Sequence, residues 1–119
     1  MKMKEITIQA NVAYKYSPQD IDDMMVTALE GGIYGWCCKA EVIGEQLGKY
    51  ASDQISRGGS IMLYDAESSD KWELTPEKFK NGVALWAKEN GCETPLGEVD
   101  AEDADCIIQY ALFGELVFG

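Results

Sequence analysis

Across residues 5–15, Ile6, Ile8, Ala10, Val12 and Tyr14 alternate with Thr7, Gln9, Asn11 and Lys15, the period-two pattern of a strand with one buried face. Ser17-Pro18-Gln19-Asp20 then supplies a hydroxyl cap, a proline suited to the first helical turn and an acid at the capping-box position. Ile21, Met24, Met25, Ala28 and Leu29 follow at i, i+3, i+4, i+7 and i+8 spacing, so a helix starts at Pro18 and stops at Gly31-Gly32. Two periods compete over residues 33–44. Trp36, Cys38, Ala40 and Val42 alternate as in a strand, whereas Trp36, Ala40 and Ile43 fit a helical face; strand is preferred. Residues 52–57, before Gly58-Gly59, read as a turn or short helix ended by glycine. Residues 60–65 and 71–74 are short and rich in bulky apolar side chains, and the five residues between them make a hairpin. Thr75-Pro76 repeats the cap-and-proline signal for a helix with Phe79, Val83, Trp86 and Ala87 on its buried face, ending near Asn90-Gly91. Asp100 caps a last helix whose stripe of Ala104, Ile107, Ile108, Ala111 and Leu112, flanked by Cys106, Tyr110 and Phe113, makes it the most deeply buried. After Gly114, residues 115–119 can add a short strand or dock on the core.

Together these elements predict an α+β fold: one compact domain spanning 1–119, with about three helices packed on a small, mostly antiparallel sheet of four or five strands. At 119 residues the chain can bury roughly two-thirds of its unfolded surface, enough to fold without metal or disulfide. Cys37, Cys38, Cys92 and Cys106 lack C-x-x-C spacing, so four free thiols are expected; Cys37 and Cys38, adjacent on a strand, would point to opposite faces and could not join one zinc site. No apolar run approaches the roughly 20 residues of a membrane span, and the first residues lead into a strand pattern, so a cytoplasmic location is expected.

Charge narrows the function. Ten Lys and Arg face 21 Asp and Glu, a formal net charge of −11. Such a protein repels phosphate backbones and anionic lipids, which disfavours direct nucleic-acid or membrane binding and favours a basic partner. The plainer reading is that the charge only keeps the protein soluble. The absence of His removes the commonest general base and metal ligand, and no phosphate-loop, dinucleotide or EF-hand signature is present. Catalysis, cofactors and metals are therefore not expected.

Glu89, Glu93, Glu98, Asp100, Glu102, Asp103 and Asp105 run without an intervening base, and Asp20, Asp22 and Asp23 form a second acidic cluster at a helix start. The helix dipole accounts for two or three of them. The only arginine, Arg57, adjoins Gly58-Gly59. With Tyr50 nearby, the guanidinium and glycine N–H groups could hold an anion; alternatively Arg57 pairs with an acid, and the glycines end a helix and start a strand.

The strings Trp36-Cys37-Cys38-Lys39-Ala40-Glu41-Val42, Tyr50-Ala51-Ser52-Asp53-Gln54-Ile55-Ser56-Arg57-Gly58-Gly59 and residues 105–115 together resemble a family of small, acidic, mostly uncharacterised proteins from phages and mobile elements of Gram-positive bacteria. The resemblance carries no active site. It implies a setting in which small acidic proteins disarm host defence, as anti-CRISPR or anti-restriction inhibitors that imitate DNA. The leading expectation is thus a non-enzymatic inhibitor that offers Asp100, Glu102, Asp103 and Asp105, backed by Glu93, Glu98, Asp20, Asp22 and Asp23, to the basic groove of a host nucleic-acid-binding protein. Two rivals remain. One is a protein that sequesters a nucleotide signal through Arg57, the adjacent glycines and an aromatic such as Tyr50, Trp36 or Trp72. The other is a structural protein whose apolar tail, residues 116–118, joins a homodimer.

Overall fold

The structure is a computed structural model; it describes Ile6, residues 13–91 and residues 94–119. The strand expected over 5–15 falls largely outside the described residues, and residues 13–17 carry no regular element. Helix α1 spans Pro18–Thr27, with Ser17 Oγ accepting from Asp20 N–H and the Asp20 carboxylate accepting from Ser17 N–H, a reciprocal capping box. It buries Met24 and Met25 and then widens into one π-helical turn, Ala28–Gly32, closed by Ile33 N–H on the Ala28 carbonyl. Residues 33–36 form turns, so the strand preferred for 33–44 is confined to β1, Cys37–Ile43.

Strands β2, Ser60–Asp65, and β3, Lys71–Leu74, form the expected hairpin. The sheet has three antiparallel strands in the order β1-β2-β3, fewer than the four or five expected, counted among the described residues. Its register places Ala40 opposite Leu63, Val42 opposite Ile61 and Ile61 opposite Leu74, which makes these residues one inward face. An irregularity between Cys37 and Lys39 turns Cys37 inward and leaves Cys38 exposed, so the two thiols do point apart. Burial pushes the Cys37 thiol above its ordinary pKa, although hydrogen bonding to the backbone opposes the rise.

Helix α2, Pro76–Asn90, is capped by Thr75, and α3, Ala101–Phe113, by Asp100; the latter ends on left-handed Gly114. As its stripe predicts, α3 is the most buried helix, with Ala104, Ile107, Ile108, Gln109 and Ala111 inside. No helix among the described residues is long and apolar enough to cross a membrane.

Helices α2 and α3 meet without an intervening side chain at Gly82. A Cβ there would lie 2.6 Å from the Ile107 carbonyl oxygen and 2.6 Å from the Ala111 Cβ. Alanine would gain about 1 kcal/mol of helix propensity over glycine. Overpacking against a fixed backbone costs about 1–3 kcal/mol, so the clash should win. Gly82→Ala is therefore expected to lower the denaturant midpoint at an unchanged m-value.

Candidate functional site

The two acidic segments are brought together by close backbone contact. The 3-10 turn Leu96–Glu98 lies against the first turn of α1: a Cβ on Gly97 would stand 3.2 Å from Asp20 Oδ1 and 3.5 Å from Asp23 Oδ2. At the other end, a Cβ on Gly32 would be 2.7 Å from the Ala101 carbonyl oxygen and 3.4 Å from Asp105 N. Residues 96–105 thus track α1 and the π-helical turn that follows it, from Asp20 to Gly32, a distance of roughly 18 Å at helical rise.

Neither segment brings a cation. No Lys or Arg lies between Lys15 and Lys39, and none follows Lys88. The gap from Lys15 to Lys39 was legible in the sequence, but its packing partner was not. Charge crowding reaches Cys106, whose thiol pKa is raised first by burial and then by Asp105, Asp103, Glu102 and Asp100.

Most of the acids expected at a partner surface also hold the fold. Asp20 serves the capping box, Asp22 Oδ1 accepts from Ser56 Oγ at 2.5 Å, and Asp23 Oδ1 accepts from Gln19 Nε2 at 2.7 Å. Asp100 Oδ1 accepts from Asp103 N–H at 2.8 Å, and Asp103 Oδ1 receives a long 3.4 Å contact from the buried Trp86 indole. Asp105 Oδ1 accepts from Trp36 Nε1 at 2.7 Å and from Gln109 Nε2 at 3.0 Å. Expectation assigned all of these carboxylates outward; Asp20, Asp22, Asp103 and Asp105 are instead part-buried, and Asp105 bonds inward. Glu98 and Glu102 are exposed and make no side-chain hydrogen bond or ion pair among the described residues. Glu93 lies outside the described residues.

Beneath Asp105 sits an aromatic cluster that closes over the tail. The Trp36 ring stacks on Phe118 with centroids 5.0 Å apart and planes within 5°, and Trp72 and Phe113 meet both edge-on. The buried Gln109 amide acts like a short strand edge: its oxygen accepts from Val117 and Phe118 N–H at 2.8 Å, and its nitrogen donates to the Phe118 carbonyl. The tail therefore docks on its own chain, with Phe118 packed into the aromatic cluster, while Leu116 and Val117 stay half exposed. Trp36, 5% exposed, is closed to a stacking base.

The arginine segment follows its plainer reading in part. Gly58 N–H bonds the Ile55 carbonyl and Gly59 N–H the Gln54 carbonyl, with Gly58 at φ +88°, the pattern of a Schellman turn. Both N–H groups that an anion would need are spent on the turn. Arg57 lies exposed beside Gly48, where a Cβ would be 2.9 Å from its Nε, and forms no ion pair among the described residues. Tyr50 is exposed on a separate shallow cleft with Val26, Leu29 and Ala40, its ring under Lys49 Nζ. No group of acids or thiols among the described residues is arranged to hold a metal ion.

No family model, curated protein or solved structure matches the chain.

The internal roles of the acids can be separated experimentally. Asp105→Ala strands the buried Trp36 indole N–H and removes one of the Gln109 amide's hydrogen bonds, and should cost about 1–3 kcal/mol in urea unfolding, against less than about 0.5 kcal/mol for Glu102→Ala. Because neighbouring carboxylates hold the Cys106 thiol pKa up, added salt should screen them and move its pH profile of iodoacetamide labelling to lower pH. Glu102→Gln with Asp103→Asn should shift it the same way.

Proposed function

We propose that this protein is a non-enzymatic binding protein that offers the acidic face of α1 and residues 96–105 to a basic protein surface, such as the nucleic-acid groove of a bacterial defence nuclease. The observation that carries this reading is the packing of two cation-free acidic segments against each other over the length of α1. Charges of one sign on a shared face add their fields within a Debye length of about 8–10 Å, so they attract a basic groove more strongly than the same charges scattered. A duplex carries one charge per about 1.7 Å of axis, so this face imitates a stretch of backbone at lower density.

Within that face Glu98 and Glu102 are the principal contacts, because they are exposed and unengaged among the described residues. Asp23 and Asp100 are also exposed and commit one carboxylate oxygen each to the fold, whereas Asp105 and Asp103 set the position of α3. The absence of His is in keeping with a role by occupancy rather than turnover. The site of action proposed is the bacterial cytoplasm.

The reading is tested by affinity capture from bacterial lysate at about 50 and 300 mM salt. Wild-type protein should retain a basic partner whose yield drops at least roughly tenfold at the higher salt, as counterion competition requires. Glu98→Lys with Glu102→Lys should abolish capture, whereas Glu67→Lys with Glu73→Lys, an equal change in net charge on the hairpin, should preserve it. Capture that ignores salt, or that both pairs weaken alike, would overturn the proposal.

A further inference from the structure

A cavity of about 500 Å³ opens between residues 14–16, the start of α1, the turn after Ile55 and one face of α2. Its floor is apolar and buried, made by Ile55, Phe79 and Val83, and its walls include the rings of Tyr14 and Tyr16. Small residues leave the room: Ala84 and Ala87 line it from α2, and a Cβ on Gly58 would meet nothing within 4 Å. Volume and lining match those of small-molecule sites, which are mostly apolar with a few placed polar groups.

Polarity here runs against the rest of the molecule. In a chain of net charge −11, the one charged residue among the described residues that line the cavity is a cation, Lys80, and among them it forms no ion pair. The Ser56 hydroxyl is already committed to Asp22, and among the described lining residues Lys80 is the one whose charge can select a ligand.

We propose that this cavity binds a small apolar anion, a medium-chain acyl or aryl carboxylate, with its hydrocarbon over Phe79 and Val83 and its carboxylate on Lys80. The site is distinct from the acidic face and does not depend on it. A chain of methylenes gains from leaving water on the apolar floor, and a lysine in the lining favours a carboxylate over an alcohol or amine of equal length.

The test uses the full chain with decanoate, decanol and decylamine, each below its micellar concentration, read by calorimetric titration and thermal unfolding. Decanoate should bind and raise the melting temperature by several degrees near saturation, and the neutral and cationic probes should bind at least about tenfold more weakly. Lys80→Met should remove that preference and leave the melting temperature of the free protein nearly unchanged. Ala84→Trp, at an exposed position, should fill the cavity and stop all three from binding. Absence of decanoate binding, equal binding of decanol, an unchanged preference in Lys80→Met, or binding that survives in folded Ala84→Trp would each overturn the proposal.

Discussion

Helix α3 approaches its neighbours backbone to backbone, and the rest of the arrangement hangs on that closeness. Gly32 admits the start of α3 and Gly82 admits its middle, each leaving too little room for a methyl group. Because helices in such contact cannot slide without a clash, the acids on the first turn of α3 are held at a fixed offset from those of α1. Charge on this surface is consequently a product of glycine placement as much as of acid content.

The same closeness explains why Asp105 faces two ways. Half-buried between Trp36 and Gln109, it satisfies an indole that would otherwise be stranded and holds the Gln109 amide, which in turn satisfies the backbone of the tail. Aromatic pairs of this kind contribute roughly 0.5–1.5 kcal/mol beyond their buried area, so Phe118 and Gln109 together hold the tail by packing and by hydrogen bonding. An acid that looks like surface charge in the sequence thus anchors the join between α3, the turn that leads into β1 and the chain end.

What the sequence made legible was local. Ser17-Pro18, Thr75-Pro76 and Asp100 announce their helices because a cap and its first turn lie within four residues, and the five-residue loop fixes the hairpin for the same reason. The hidden part was tertiary. The π-helical turn at 28–32 accompanies the approach of Ala101 to Gly32, and Trp36 and Asp105 find each other across 69 residues. Gln109 did leave a signal, as an amide interrupting the apolar run of Ile107, Ile108 and Ala111. A polar residue at a buried stripe position must be hydrogen-bonded, and reading it that way would have pointed to a docked segment. Gly58-Gly59 carried the opposite lesson, since its helix-ending role consumes the donors that an anion would need.

The separation of cations from α1 and α3 also governs how the molecule behaves toward amine chemistry. Lys39 and Lys71 stand on the sheet, Lys78, Lys80 and Lys88 on α2, and Lys49 in the loop beyond β1. Among the described lysines, coupling through these six side chains would tether the protein by its sheet, α2 and the loop after β1, with the carboxylate side turned to the solution, whereas coupling through Lys15, just ahead of α1, would draw that side to the support.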